Sequence, residues 1–171
     1  PHVFRLWTIP DMDRIHGYIE TAKPATAIVA GGGFIGLEMA EAFAKRGIAT
    51  TVVELLPRVM SIMDPEFGGM IASRLAANGV VVRTGVGLAA IRADGAEGAS
   101  SAVVELSDGS RLPAGLVLLS VGVRPELDLA RRAGLALGEC GGLAVDEHLR
   151  TSDPHIWAAG DMNEVVQKVS G

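Results

Sequence analysis

The sequence predicts a doubly wound α/β domain: a parallel sheet with helices between its strands, in which an antiparallel β-meander replaces one crossover helix. Three observations predict it. Residues 27–47, AIVAGGGFIGLEMAEAFAKRG, run from small apolar residues through three consecutive glycines into a helical pattern. Strand-like and helix-like runs alternate over residues 25–83, after which residues 86–114 change to short runs broken by turn residues. The 171 residues, 49% hydrophobic and 20% charged, are also enough to close a core.

The elements follow in order. DMDRIHGYIETA places Ile15, Tyr18 and Ile19 at helical spacing behind an Asp-rich start and reads as a short amphipathic helix ended by Pro24. ATAIVA, residues 25–30, has strand length, and the glycines hand it over to a helix from Phe34 to Lys45 closed by Gly47. ATTVVE is a β-branched strand ending on Glu54. A second helix opens at Asp64 as cap with Pro65 in the first helical position, keeps Phe67, Met70, Ile71 and Leu75 in helical period, and stops at Gly79 before the strand VVVR. GLAAIRA, a turn region over residues 94–101, AVVELS, a DGS turn and RLP read as the meander. LVLLSVG, residues 116–122, is apolar almost throughout, as a parallel strand buried on both faces must be. ELDLARRAGL supplies a last short helix, and GLAVDEHLRTSDPHIWAAGD closes with two more short strands.

Gly31, Gly33 and Gly36 match G-x-G-x-x-G between a strand and a helix start. The first glycine permits the tight turn, the second lets a pyrophosphate approach the backbone, and the third lets helix and strand pack closely, which makes the domain Rossmann-like. Amides at the helix N-terminus then hold phosphate without a basic side chain. Glu54 lies eighteen residues after Gly36, at the end of the next strand. A carboxylate there accepts from adenosine ribose hydroxyls and repels a 2′-phosphate, so NADH is expected over NADPH. Arg58, four residues on, is the residue that could instead reach a 2′-phosphate.

A formal net charge of −5 excludes the basic stripe of a nucleic-acid binder. No apolar run reaches the roughly 20 residues of a membrane span and no signal peptide is present, so the chain reads as cytoplasmic. Cys140 is the single cysteine, which excludes an internal disulfide, and GECGG offers it no cationic activator. His2, His16, His148 and His155 are scattered without ligand spacing, so no metal site is expected.

GGGFIGLEMAEAFAKRG, VVELLPRVMSIMDPEF, SVGVRPE and HIWAAGDMNEV occur in an order that resembles the pyridine nucleotide-disulfide oxidoreductases, in which a nicotinamide-binding domain interrupts a flavin-binding domain. The tail AAGDMNEVVQKVSG and the opening VFRLWTIPDMDRI look most like the coenzyme A-disulfide reductase, NADH oxidase and NADH peroxidase branch, with Ser170 where Thr is usual. Rubredoxin or ferredoxin reductase-like enzymes and nitrite reductase flavoproteins share much of the same core. The resemblance implies residues 1–20 as a lead-in segment and helix from a flanking flavin domain, 21–150 as the NAD(P)H-binding domain, and 151–171 as the return towards the FAD-binding domain.

By the same resemblance Phe34 lies over a flavin face, Ile35 lines that pocket, Glu38 stands near the nicotinamide amide, and Val121 and Gly122 pass the nicotinamide end. Gly160 and Asp161 resemble the pair that binds FAD in the full-length parent. The implied parent is a homodimer that passes hydride from NADH to FAD, then electrons to a cysteine-based centre and on to a disulfide, peroxide or oxygen. Without the flavin fingerprint and the redox cysteine, this stretch is expected to bind NADH and catalyse nothing. A stand-alone NAD(H) sensor is the reading from another class.

Overall fold

The computed structural model describes residues 2–93 and 102–166. The turn expected at 94–101 and Ser170 lie outside the described residues. Two compact units divide the chain, Pro1–Gly122 and Val123–Gly171.

The first unit is built on a five-stranded, wholly parallel sheet. Its strands are β1 (Val3–Arg5), β2 (Thr26–Ala30), β3 (Ala49–Glu54), β4 (Val81–Thr84) and β8 (Leu116–Leu119), in the spatial order β1-β8-β2-β3-β4. Helices α1 (Ile9–Ala22), α2 (Phe34–Lys45) and α3 (Pro65–Ala77) connect them, and β5 (Leu88–Ala93), β6 (Ala102–Leu106) and β7 (Arg111–Ala114) form the antiparallel meander that leads into β8.

Period-two alternation explains why the central strands are apolar throughout. Ala27, Val29, Val52, Leu116 and Leu118 point to one face and pack with Ile15 of α1, Phe43 of α2 and Leu75 of α3. Ile28, Val53 and Val117 point to the other face, where the meander supplies Val104, Leu106 and Ala114. The meander therefore covers the face that a crossover helix would otherwise cover.

Helix ends follow the chemistry of their residues. Gly47 and Gly79, at φ +78° and +80°, end α2 and α3, with Ile48 N donating to Phe43 O at 3.1 Å and Val80 N to Leu75 O at 3.0 Å. At the start of α1, Thr8 and Asp11 form a reciprocal capping box, so the helix begins two residues before the expected Asp-rich start. Asp64 does occupy the N-cap of α3 and Pro65 its first turn, but the Asp64 side chain makes no capping hydrogen bond.

Three expectations need correction. Val3–Arg5 had no predicted element and forms β1, whose sheet partner among the described residues is β8, more than a hundred residues away. Phe67 and Met70 keep the expected helical period with Ile71 and Leu75 in α3, but they lie on its exposed side. The stripe that faces inward is Gly68, Ile71, Ala72 and Leu75, because a Cβ at Gly68 would sit 2.8 Å from the Val59 carbonyl oxygen and the helix must turn that small face to the loop.

The third correction concerns the second unit. It holds α4 (Asp128–Arg132) and two parallel two-residue strands, β9 (Leu143–Ala144) and β10 (Asn163–Glu164), around Leu127, Ala130 and Leu143. The expected second strand inside GLAVDEHLRTSDPHIWAAGD is reduced to an isolated bridge between Arg150 and Trp157, and β10 comes after that stretch. The Asp146 carboxylate accepts from His148 N and Arg150 N at 2.8 and 2.9 Å, so a side chain organises that turn where a strand was expected. No helix among the described residues is long and apolar enough to cross a membrane.

Candidate functional site

Between β2 and β8 the strand order changes direction: from β2 the chain steps outward to β3 and β4, then returns to β8 on the other side of β2. Loops at the carboxyl ends of strands diverge at such a point and leave a crevice. The loops after β2, β3 and β8, the start of α2 and the last residue of β3 carry ten of the twelve predicted site residues: Gly31, Gly33, Phe34, Ile35, Gly36, Glu38, Glu54, Arg58, Val121 and Gly122. Gly160 and Asp161 are exposed residues of the other unit, Gly160 with φ +103°.

The three fingerprint glycines differ in their surroundings. Gly31, at φ +109°, donates to Val53 O at 2.8 Å, and a Cβ on it would run into the Ser120 carbonyl at the end of β8. A Cβ on Gly36 would meet the Gly31 carbonyl, so α2 lies close against the turn. Gly33 has nothing within 4 Å of the position of a Cβ and is the N-cap of α2 with no side-chain cap. Two glycines thus close the turn, and the third leaves open space where the helix presents its first amides.

Glu54 closes the other side. Its Oε2 accepts from Gly32 N at 2.6 Å and its Oε1 from Leu56 N at 2.7 Å. Each carboxylate oxygen keeps a lone pair for another donor. Arg58 is half-buried, with Nη2 donating to Ser61 O at 3.3 Å and its buried Nε without a partner. At the start of α2, Phe34 is 59% exposed, and Ile35 and Glu38 are exposed as well. Phe34 and Glu38 line a groove of about 360 Å³ that runs on to Met63, Ile71 and Arg74. Val121 is exposed beside Gly122, whose φ of +100° turns the chain after β8.

This open glycine turn is flanked by an acid on the next strand and by an exposed loop after β8, and its free space, uncapped helix start and carboxylate fit the phosphates and ribose of a dinucleotide. A sequence profile described as pyridine nucleotide-disulphide oxidoreductase matches residues 3–170. The chain belongs to that family. The NADH oxidase of Methanocaldococcus jannaschii is 35% identical over 170 residues, 99% of this chain and 37% of that protein. The terpredoxin reductase of a Pseudomonas species is 40% identical over 143 residues, 83% of this chain and 34% of the relative. Among solved structures, reduced Bacillus anthracis CoADR-RHD superposes with a TM-score of 0.87 at 41% identity, covering 95% of this chain and 28% of that one. The chain therefore spans well under half the length of these relatives. The pyridine nucleotide-disulphide oxidoreductases are flavoproteins that use NAD(P)H and FAD.

In this member of the pyridine nucleotide-disulphide oxidoreductases the sequence reading missed four residues at the glycine turn: Gly32, Val59, Met60 and Ser120. Met60, at φ +50°, donates its N–H to Gly32 O at 2.8 Å. Val59 is buried against Gly32, and Ser120 N donates to Ala30 O at 2.7 Å. The signal that could have found Gly32 was in view: the fingerprint asks for glycine at 31 and 33, and the chain has a third between them.

In the second unit, the Glu164 carboxylate accepts from Cys140 N at 2.9 Å and Gly142 N at 3.0 Å. These backbone hydrogen bonds, that from Cys140 first, hold it below the usual carboxylate range. The Cys140 thiol itself is exposed.

Proposed function

We propose that the chain binds NADH and presents its nicotinamide to a flavin, so that hydride passes from NADH to FAD and electrons continue to a cysteine-based centre. That centre reduces a disulfide of the coenzyme A-disulfide type, a peroxide or oxygen. The observation that carries the reading is the glycine turn, where Gly31 and Gly36 have no room for a side chain while Gly33 faces open space at an uncapped helix start.

In this reading Gly33 and the first amides of α2 hold the pyrophosphate, and Glu54 accepts from the ribose hydroxyls through its remaining lone pairs. Val121 and Gly122 pass the nicotinamide, and Phe34, Ile35 and Glu38 border the ring. FAD, when bound, supplies the two-electron chemistry between nicotinamide and thiol. Gly160 and Asp161 belong to its binding segment, in a flavin-binding domain of the same protein, which works as a homodimer. Residues 21–150 form the NAD(P)H-binding domain, with 1–20 and 151–171 leading from and to the flavin part. In this reading NADH turnover depends on the FAD-binding domain and the cysteine-based centre, and residues 1–171 contribute the binding of NADH.

NADPH is the second reading, favoured by the partnerless Nε of Arg58. Calorimetric titration with NADH and NADPH separates the two. Saturable binding that favours NADH, lost on Glu54→Ala and kept on Cys140→Ser, supports the first. A preference for NADPH lost on Arg58→Ala moves the ribose assignment to Arg58, and a folded chain that binds neither sinks both.

A further inference from the structure

We infer that Gly32, the glycine the fingerprint does not ask for, is a positioning residue that sets the discrimination between dinucleotides with and without a 2′-phosphate, acting through Glu54. The inference rests on the proposed NADH reading of the same site.

Gly32 is buried and tied on both sides. Its N–H donates to Glu54 Oε2 at 2.6 Å, and its carbonyl accepts from Met60 N at 2.8 Å. Leu56 N holds the other oxygen of Glu54 at 2.7 Å. The carboxylate is therefore clamped between the glycine turn and the loop after β3, with little freedom to swing away from an incoming group. A negative charge held in one place discriminates against a second negative charge more strongly than a mobile one, because the mobile group relaxes away at small cost.

Only glycine permits this arrangement. A Cβ at position 32 would lie 2.8 Å from Val59 Cγ1 and 3.2 Å from Glu54 Oε2. Val59 is 1% exposed and packed into the core, whereas Glu54 is only half-buried. The tighter clash, with buried Val59, forces the backbone at position 32 to shift, and of the two neighbours it is the half-buried carboxylate that has room to be displaced by that shift. Displacing it breaks the bond to Gly32 N and releases the charge, which weakens its hold on a ribose and its repulsion of a 2′-phosphate together.

The test is calorimetric titration of the full chain with NADH and NADPH for the wild type, Gly32→Ala, Glu54→Gln and the double variant. Gly32→Ala is expected to lower the ratio of NADPH to NADH dissociation constants about tenfold or more, the scale of a charge-assisted hydrogen bond. In the Glu54→Gln background the same change is expected to move that ratio by less than about twofold, since neighbours that act through one group do not add. Equal weakening of both dinucleotides by Gly32→Ala, or an undiminished effect without the Glu54 charge, overturns the inference while the NADH reading stands. A wild type that binds neither dinucleotide overturns both. Where Gly32→Ala does not fold, an amide-to-ester replacement at position 32 removes the N–H without adding an atom; an unchanged ratio there also overturns the inference.

Discussion

Gly31 and Gly33 serve one turn in opposite ways, and single substitutions separate them. At Gly31 the positive φ and the Ser120 carbonyl both exclude a side chain. Gly31→Ala should lower stability by at least about 2 kcal/mol, read from the urea midpoint. At Gly33 a Cβ meets nothing. Gly33→Ala should therefore cost at most about 1 kcal/mol, the worth of an N-cap, yet weaken NADH binding at least about tenfold where the pyrophosphate needs the space. Unchanged NADH affinity in that variant would remove the pyrophosphate from Gly33. The motif positions were legible in the sequence because one short segment carries all three glycines. Val59, Met60 and Ser120 were not, since each meets the turn from a segment that folding brings to it.

The start of α1 is held by neighbours in the chain, Trp7, Thr8, Asp11 and Arg14. Asp11 is buried and accepts from the Thr8 hydroxyl and from the amides of Trp7 and Thr8, with the Arg14 guanidinium beside it. The Thr8 hydroxyl first, then those amides and Arg14, lower its pKa from 3.8 to about 2. A depressed carboxylate contributes stability above its unfolded pKa and loses it as pH falls through the folded one. Between pH 4 and 2 the wild type should lose stability that Asp11→Asn lacks throughout, so the acid limbs of the two unfolding profiles should converge near pH 2. Thr8→Ala should cost about 1 kcal/mol at neutral pH through the lost cap. Other elements were less legible. Three residues of β1 offer no period to read, and only β8 makes them a strand. In α3 the apolar period was present, but Gly68 rather than Phe67 faces inward. A residue scale that counts glycine as weak and phenylalanine as core cannot find that face, because close approach to the Val59 carbonyl decides it.

Across the first unit, one sheet separates two unlike layers, three helices on one face and a meander on the other. Phe43 is 1% exposed in the helix-side core. Phe43→Ala should cost about 3–5 kcal/mol with an unchanged urea m-value, since it empties a cavity without altering the area exposed on unfolding. Much smaller loss would place Phe43 outside the cooperative core. The sequence by itself determined the strand and helix order from β2 to β8, the glycine turn, and the two-sided burial of β8, because period and turn chemistry act over a few neighbouring residues. Tertiary structure alone decided which strand joins the sheet at its far edge, which face of α3 is buried, and that Gly32, Glu54 and Met60 lock together. Those outcomes depend on contacts between segments far apart in the chain, where a hydrogen bond of 2.6 Å or the absence of room for one carbon has no counterpart in local pattern.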